Sequence, residues 1–219
     1  MKTINELIKE RIQKTIAFIE EDKKTGHPRN FSISTEEEIL NRINSSIPIR
    51  YKESQISDEY SEKIISSLEN EKGIYFYGSV GTGKTYLLYA LLRFIRISRN
   101  DMYCANLWNV PDMLSNFKKS FSDGGGGEKE IDGELKYNGF LLLDDFGAEK
   151  VTEWNTEIMY RLINHRYENQ LLTFFASNLS LDEISNRGAD RIASRIAEMC
   201  NVIKVAGKDR RLTSTEIKP

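Results

Sequence analysis

The chain has 219 residues with 39% hydrophobic content, which suits one domain with a buried core plus a short appendage and argues against two full-sized domains. Acidic and basic residues nearly cancel to a net charge of −2, so no overall field draws the protein onto nucleic acid or a membrane. Cys104 and Cys200 lack the paired spacing of a zinc site or a disulfide framework. No run approaches the ~18 apolar residues of a membrane span, and we expect a cytoplasmic protein.

Two amphipathic helices are predicted at the start of the chain. The first carries an isoleucine and leucine stripe at spacings of three and four and stops near Pro28; the second runs from about Thr35 toward Ser46. Two short helices cannot bury such a stripe between themselves, so we expect residues 1–46 to form a helical partner-binding region ahead of a domain at 47–219. Packing of the stripe on the chain's own core is the alternative. The central anchors of the stripe would be Leu7, Ile8 and Ile12.

Beyond a third helical pattern at residues 60–68, apolar runs typical of buried strands alternate with helical segments. The runs cover residues 74–77, 102–105, 140–143, 172–176 and 202–205. Such alternation implies crossover connections and predicts an α/β fold with a parallel sheet covered by helices on both faces. A run of four glycines at residues 124–127, set among charged residues, predicts a mobile surface loop.

A phosphate-binding loop is predicted between the strand at 74–77 and the helix that follows. The pattern G-x-x-x-x-G-K-[ST] comprises Gly78, Ser79, Val80, Gly81, Thr82, Gly83, Lys84 and Thr85, with Tyr86 next in the predicted site. Backbone N–H groups of such a loop curl around phosphate oxygens, and the helix N-terminus adds its positive dipole end. Lys84 should reach the β- and γ-phosphates, while the Thr85 hydroxyl ligates Mg²⁺. A glycine-rich turn that binds nothing is disfavoured by the strand-to-helix context.

Two carboxylates, Asp144 and Asp145, end the strand predicted at 140–143. The carboxyl edge of a parallel sheet is where ligands of open α/β sheets bind. Asp144 would hold Mg²⁺, and Asp145 would orient or deprotonate the attacking water. A simple strand-to-turn junction is the alternative. The position downstream of the phosphate loop favours the catalytic interpretation.

Polar residues later in the chain extend the predicted site. Asn178, after the strand at 172–176, could hydrogen-bond the γ-phosphate and the attacking water, or could instead cap the helix near Asp182. Arg191 and Arg195 lie four apart on a predicted helix. They form either a solvated face or a projection into the ATP site of a neighbouring subunit, where arginine stabilises transition-state charge.

Several stretches of this chain resemble the DnaC/DnaI/IstB group of AAA+ ATPases. The matching stretches are residues 47–51, the phosphate loop, residues 141–150 (LLLDDFGAEK), residues 162–169 ahead of 177–179, and residues 191–211. The resemblance implies a five-stranded parallel AAA+ sheet. It assigns Asn178 to the sensor-1 position, Arg195 to an arginine finger acting in trans, and Arg211 to the sensor-2 position.

The chain departs from the pattern of this group in three places. Asp145 stands where many AAA+ proteins carry a catalytic Glu, and its shorter arm implies slow hydrolysis. Only residues 206–219 follow the last predicted strand, so we expect little or no C-terminal lid. The N-terminal region lacks the zinc-binding cysteines of some loaders in the group.

The resemblance implies a DNA replication protein that uses ATP to load a hexameric replicative helicase onto single-stranded DNA, self-associating into a ring or spiral. An IstB-type ATPase that assists a transposase is one alternative. A nucleotide-gated adaptor with little turnover is another. The candidate DNA-binding patch, with a solvated charged face as its alternative, consists of Arg93, Arg96, Arg99, Lys118 and Lys119.

Overall fold

The computed structural model describes residues 36–99, 103–122 and 137–207, together with positions 6, 10, 101, 129, 131–133 and 209. The helices of these ranges are α1 Glu36–Asn44, α2 Asp58–Glu69, α3 Lys84–Arg99, α4 Val110–Ser122, α5 Glu153–Glu168, α6 Leu181–Ser185 and α7 Asp190–Met199, with a 3₁₀ helix at Ile49–Tyr51. The strands are β1 Gly73–Tyr77, β2 Ala105–Asn109, β3 Phe140–Phe146, β4 Thr173–Ser177 and β5 Cys200–Lys204. The predicted anchors Leu7, Ile8 and Ile12, the glycine run at 124–127, and Arg211 lie outside the described residues. No helix within the described ranges combines the length and apolar character needed to cross a membrane.

The five strands form one parallel sheet in the order β2-β3-β4-β1-β5. This confirms the predicted fold class. Every residue of β4 is buried, because its strand neighbours and the helices on both faces shield it from water. The order places the carboxyl ends of β1, β3 and β4 side by side. The phosphate loop therefore lies at the same edge as Asp144 and Asp145 of β3 and the end of β4 at Ser177.

Side chains of the central strands point alternately into two apolar layers. In β1, Ile74 and Phe76 join the layer that includes α2 and α3, while Tyr75 joins the layer that includes α4, α5 and α7. In β4, Phe174 and Phe175 divide between the layers in the same way. The sheet is therefore the middle of a three-layer sandwich, with one apolar layer on each of its faces.

The second strand lies later in the chain than predicted. An apolar run suggested residues 102–105, whereas β2 spans Ala105–Asn109 and pairs with β3 on one side only. Four of its five residues are half-buried, as befits an edge strand. An edge strand does not read as a continuous apolar run, so the pattern that identified the central strands misplaced this one.

The helix α1 packs on α3, the helix that follows the phosphate loop. Ile39 and Ile43 of α1 form a buried cluster with Ile97 of α3. The second half of the predicted partner-binding region is thus held against the α/β domain. The domain boundary at residue 46 remains a prediction.

A fully buried arginine, Arg166, joins the end of α5 to the amino-terminal ends of two strands. Its guanidinium donates to the carbonyls of Tyr137, Gly139 and Leu172 and to the Thr173 hydroxyl, at 2.7 to 2.9 Å. A cleft of about 740 Å³ opens beside it at this edge. The Arg166 guanidinium beside this cleft is bonded to four protein oxygens, so its place in the structure is explained by the fold.

Candidate nucleotide-binding site

The phosphate loop adopts a backbone that favours glycine at three positions, Gly78, Gly81 and Gly83, the last with φ 102°. Gly78 has φ 151°, and a Cβ there would lie 2.3 Å from the Val205 carbonyl oxygen. Gly81 has φ 79°, and a Cβ there would meet the Asp209 carboxylate at 1.9 Å. The predicted loop is therefore present, between β1 and α3, with the chain after β5 running against it.

Within the loop, the Lys84 side chain is buried and faces the loop's own carbonyls. Its ammonium donates to the carbonyl oxygens of Gly78 at 2.8 Å and Ser79 at 2.7 Å. The Thr82 hydroxyl donates to the Ser79 carbonyl at 2.9 Å, which tightens the turn. The cation thus lies inside the curl of the loop, where phosphate oxygens would meet it.

Thr85 and Asp144 meet at the predicted metal position. The Thr85 hydroxyl donates to the Asp144 carboxylate at 3.0 Å, across 59 residues of chain. Burial, followed by the neighbouring Asp145 charge, raises the pKa of Asp144 to about 6. A hydroxyl and a buried carboxylate are hard oxygen ligands of the kind that Mg²⁺ prefers, so these residues fit a magnesium ion beside the phosphates.

Asp145 is turned out of the regular strand. It has φ 52°, and the β3–β4 pairing shifts register between Leu143 and Phe146. Its carboxylate accepts a hydrogen bond from the Asn109 side-chain amide at 3.0 Å. The Asn109 side-chain oxygen in turn accepts from the Asp112 backbone N–H at 3.2 Å. Asn109 at the end of β2 therefore fixes the direction of Asp145, and the sequence analysis missed it.

A cavity of about 530 Å³ brings most of the predicted site residues together. Its lining includes Val80, Gly81, Gly83, Lys84, Thr85, Tyr86, Asp144, Asp145 and Asn178. Asn178 does not cap the following helix; Ser180 does, through a capping box with Glu183. The Asn178 side chain is exposed and lines the cavity, and its sensor-1 role stays a prediction.

Two further lining residues come from the 3₁₀ helix and were not predicted as site residues. Arg50 and Tyr51 contribute to the cavity wall, and the Tyr51 ring stacks on Tyr89 of α3 at 4.3 Å between centroids. Beside a phosphate site, an aromatic ring can stack on a nucleotide base and an arginine can pair with the phosphate charge. The only sequence signal was their place in the matching stretch at 47–51.

Arg195 is not among the residues that line its own nucleotide cavity. It lies on α7 and bonds to Asn164 and Tyr160 of α5. This placement leaves the predicted trans role open and gives no support to a role in cis.

The candidate DNA-binding patch is wrong in one of its five members. Arg96 is 6% exposed and donates to the Ala105 carbonyl and the Ser46 hydroxyl, so it stabilises the fold. Arg93 is half-buried and donates to Asn44 and to the Ser54 carbonyl. Both guanidiniums attach α3 to the segment after α1.

The chain matches the family of the IstB-like ATP binding protein over residues 18–217. The replicative helicase loader DnaI of Bacillus subtilis (strain 168) is 35% identical over 153 residues, which are 64% of this chain and 48% of that protein. The chain spans about half the length of the curated helicase loaders it matches.

Solved structures show the same architecture. The crystal structure of DnaI has a TM-score of 0.56 at 26% identity and covers 80% of this chain and 93% of its own. The crystal structure of the DnaC helicase loader has a TM-score of 0.61 at 22% identity and covers 73% of this chain and 100% of its own, a likeness of fold. The fold is that of the AAA+ P-loop ATPases, and the family match takes in nearly the whole chain. The chain therefore belongs to the IstB-like ATP-binding family and is homologous to the DnaI and DnaC helicase loaders.

Proposed function

We propose that this protein is an ATPase that loads a hexameric replicative helicase onto single-stranded DNA in the cytoplasm. The observation that carries the proposal is a phosphate loop and a carboxylate pair meeting in one cavity, in a chain 35% identical to DnaI over 153 residues. In this proposal, ATP binding and hydrolysis would drive the loading step and determine when it occurs. The rest of the chain would bind the helicase and the DNA.

ATP binding would rest on the loop and its lysine. Backbone N–H groups of the loop would hold the phosphates, and Lys84 would exchange its two carbonyl partners for phosphate oxygens. Thr85 and Asp144 would hold Mg²⁺, which supplies counter-charge for the β- and γ-phosphates.

Hydrolysis would depend on the orientation of Asp145. Its carboxylate, held by Asn109, would accept the proton of the attacking water, and Asn178 would fix that water and the γ-phosphate. The short Asp side chain makes slow turnover the expectation. Arg195 would act on the phosphates of the adjacent subunit, which requires ATP-dependent assembly into a ring or spiral. Arg211 keeps its sensor-2 assignment as a prediction.

Partner binding would reside in the region before α1. Because Ile39 and Ile43 of α1 pack against α3, these two side chains are not proposed to bind a partner. The proposed docking surface is the isoleucine and leucine stripe of the first predicted helix, with Leu7, Ile8 and Ile12 as anchors. Changing these three residues to Ser should abolish helicase capture and leave ATP binding near wild type. Unfolding of the variant or loss of ATP affinity would place the stripe in the core instead.

DNA contact would use the cations that remain exposed. Arg99, Lys118 and Lys119 are exposed, although Arg99 lies over the Phe140 ring and Lys118 over the Trp154 ring. If they contact phosphates, replacing all three with Ser should weaken single-strand binding and flatten its salt dependence. An unchanged salt slope would exclude them.

The decisive test is loading onto a closed circle. A circular single strand has no end to thread, so a helicase ring must be opened to encircle it. With ATP and the helicase of its own host, the chain should raise the unwinding of an oligonucleotide annealed to such a circle, and the control Lys84→Ala should not. Equal unwinding without the chain would refute the proposal.

A second candidate is a transposition helper, which the IstB-like family match favours. Capture of a transposase from the host, with no capture of the helicase, would support it. A nucleotide-gated adaptor would load the helicase in ATP with no phosphate release above background.

A further inference from the structure

The guanidinium of Arg195 is held by a group of neutral partners. Its Nε donates to the Asn164 side-chain oxygen at 2.7 Å, Nη2 to the Tyr160 hydroxyl at 3.2 Å, and Nη1 to the Arg191 carbonyl at 3.2 Å. The guanidinium carbon lies over the rings of Tyr160 and Tyr167, at 4.9 and 5.6 Å from their centroids. We call Asn164, Tyr160 and Tyr167, all on α5, the α5 cradle.

The cradle fixes the side chain without cancelling its charge. An amide, a phenol, a carbonyl and two ring faces carry no net negative charge. Two carboxylates lie beside the cradle and accept hydrogen bonds from its members: Glu198 from the Tyr167 hydroxyl at 2.8 Å and Glu168 from the Asn164 side-chain N–H at 2.9 Å. Three of the five guanidinium donors are used by the three hydrogen bonds, which leaves two. The result is an oriented, half-exposed cation that keeps its full charge and two donors for an anion.

We propose that Asn164 is a positioning residue for Arg195, and that it is neutral because the cation must remain available to the phosphates of the adjacent subunit. The inference rests on the proposed function, in which Arg195 acts in trans. A carboxylate at position 164 would form a charge-assisted bond to the same Nε. It would hold the side chain more tightly and would compete with the phosphates for its charge.

The alternative is that Arg195 only holds α7 against α5 and has no role in catalysis, in which case a carboxylate at position 164 would be favourable. If Arg195 only joined α5 to α7, a carboxylate partner would improve the joint with no effect on turnover. In wild type, Asn164→Asp would also lose the hydrogen bond to Glu168 and would meet a second carboxylate there. In a Glu168→Gln background the amide of residue 168 can donate to the new carboxylate instead. There Asn164→Asp separates the two roles, because the expected changes in stability and in turnover have opposite signs. Asn164→Ala removes the Nε acceptor and should lower both.

The experiment compares Asn164→Asp, Asn164→Ala and Arg195→Ala in the full chain, each made in the Glu168→Gln background, with Glu168→Gln alone and wild type as references. Relative to Glu168→Gln alone, Asn164→Asp should raise the thermal midpoint without nucleotide by about 2–4 °C. Its phosphate release at saturating ATP should fall roughly tenfold, the effect expected when a charge-assisted contact is diverted. Turnover in Asn164→Asp equal to that of Glu168→Gln alone, alongside inactive Arg195→Ala, would overturn the positioning role alone. The same turnover in Arg195→Ala would overturn the finger and this inference together.

A mixing arm identifies the defect as one in trans. In the same Glu168→Gln background, Lys84→Ala lacks a working phosphate loop and retains an intact cradle and finger. Mixed with Asn164→Asp, it should restore phosphate release, because its finger serves the intact loop of its neighbour. The double variant Lys84→Ala, Asn164→Asp should not restore release. Equal restoration by both donors would overturn the inference.

Discussion

The buried carboxylate of Asp144 lowers the free energy of unfolding at neutral pH. The substitution Asp144→Asn, which removes the charge, measures the size of this effect. Burial, and then the charge of Asp145, raise the pKa of Asp144 from 3.8 to about 6. A carboxyl group with a higher pKa in the folded chain binds its proton more tightly there, so ionisation favours the unfolded chain. The effect on stability is absent below about pH 3.8 and complete above about pH 6. At about 1.4 kcal/mol per pKa unit, it reaches about 3 kcal/mol at pH 7.

We therefore expect Asp144→Asn to raise the free energy of unfolding at pH 7 by about 3 kcal/mol, since the amide keeps an oxygen for Thr85 and loses the charge. At pH 4 the variant and wild type should agree within about 1 kcal/mol. Urea unfolding followed by circular dichroism at both pH values, without nucleotide, gives the two differences.

Glu157→Gln, on the exposed side of α5, is the matched control and should change stability by less than about 0.5 kcal/mol. A variant no more stable than wild type at pH 7, or one equally stabilised at both pH values, would refute the reasoning. The same change should weaken Mg²⁺-dependent ATP binding, so function and stability oppose each other at this position.

Three further substitutions test other parts of the structure. Lys84→Ala should weaken ATP binding by roughly tenfold or more, because it removes a charge-assisted contact to phosphate; titration of a fluorescent ATP analogue measures this, and an unchanged Kd would remove Lys84 from the site. Asp145→Asn should leave ATP bound and suppress phosphate release, since the amide cannot accept the water's proton; an unaltered rate would exclude Asp145 as the base. Arg166→Met should lower the free energy of unfolding by about 3 kcal/mol or more, because four oxygens lose a buried donor; a urea-unfolding difference below about 1 kcal/mol would contradict this.

Features that depend on neighbours in the chain could be predicted from the sequence. The phosphate loop is one example, because Lys84 bonds to carbonyls only five and six residues away. The strands β1, β3 and β4 are another, since burial on both faces leaves an apolar run. The carboxylates Asp144 and Asp145 then follow from the place where the apolar run at 140–143 ends, although the strand itself continues to Phe146.

Features that depend on contacts between distant parts of the chain could not be predicted. Asn109 and Asp145 are 36 residues apart, and only the alignment of β2 beside β3 brings them together. The candidate DNA-binding patch includes Arg96 for its place after the phosphate loop, yet the Ala105 carbonyl and the Ser46 hydroxyl accept hydrogen bonds from it in the interior. A single sequence shows which side chain is present at a position, but it does not show which distant residue that side chain will contact.

Helix α3 is attached to other parts of the chain at both of its ends. Its first turn holds the proposed phosphate ligands, and its later arginines, Arg93 and Arg96, bond to the segment between α1 and α2. A 16-residue helix is about 24 Å long, so α3 connects the phosphate loop to contacts at its far end. If the N-terminal region binds a partner as proposed and ATP changes that affinity by some factor, the partner must change the affinity for ATP by the same factor. Under the proposed function, α3 would then couple release of the partner to loss of the γ-phosphate.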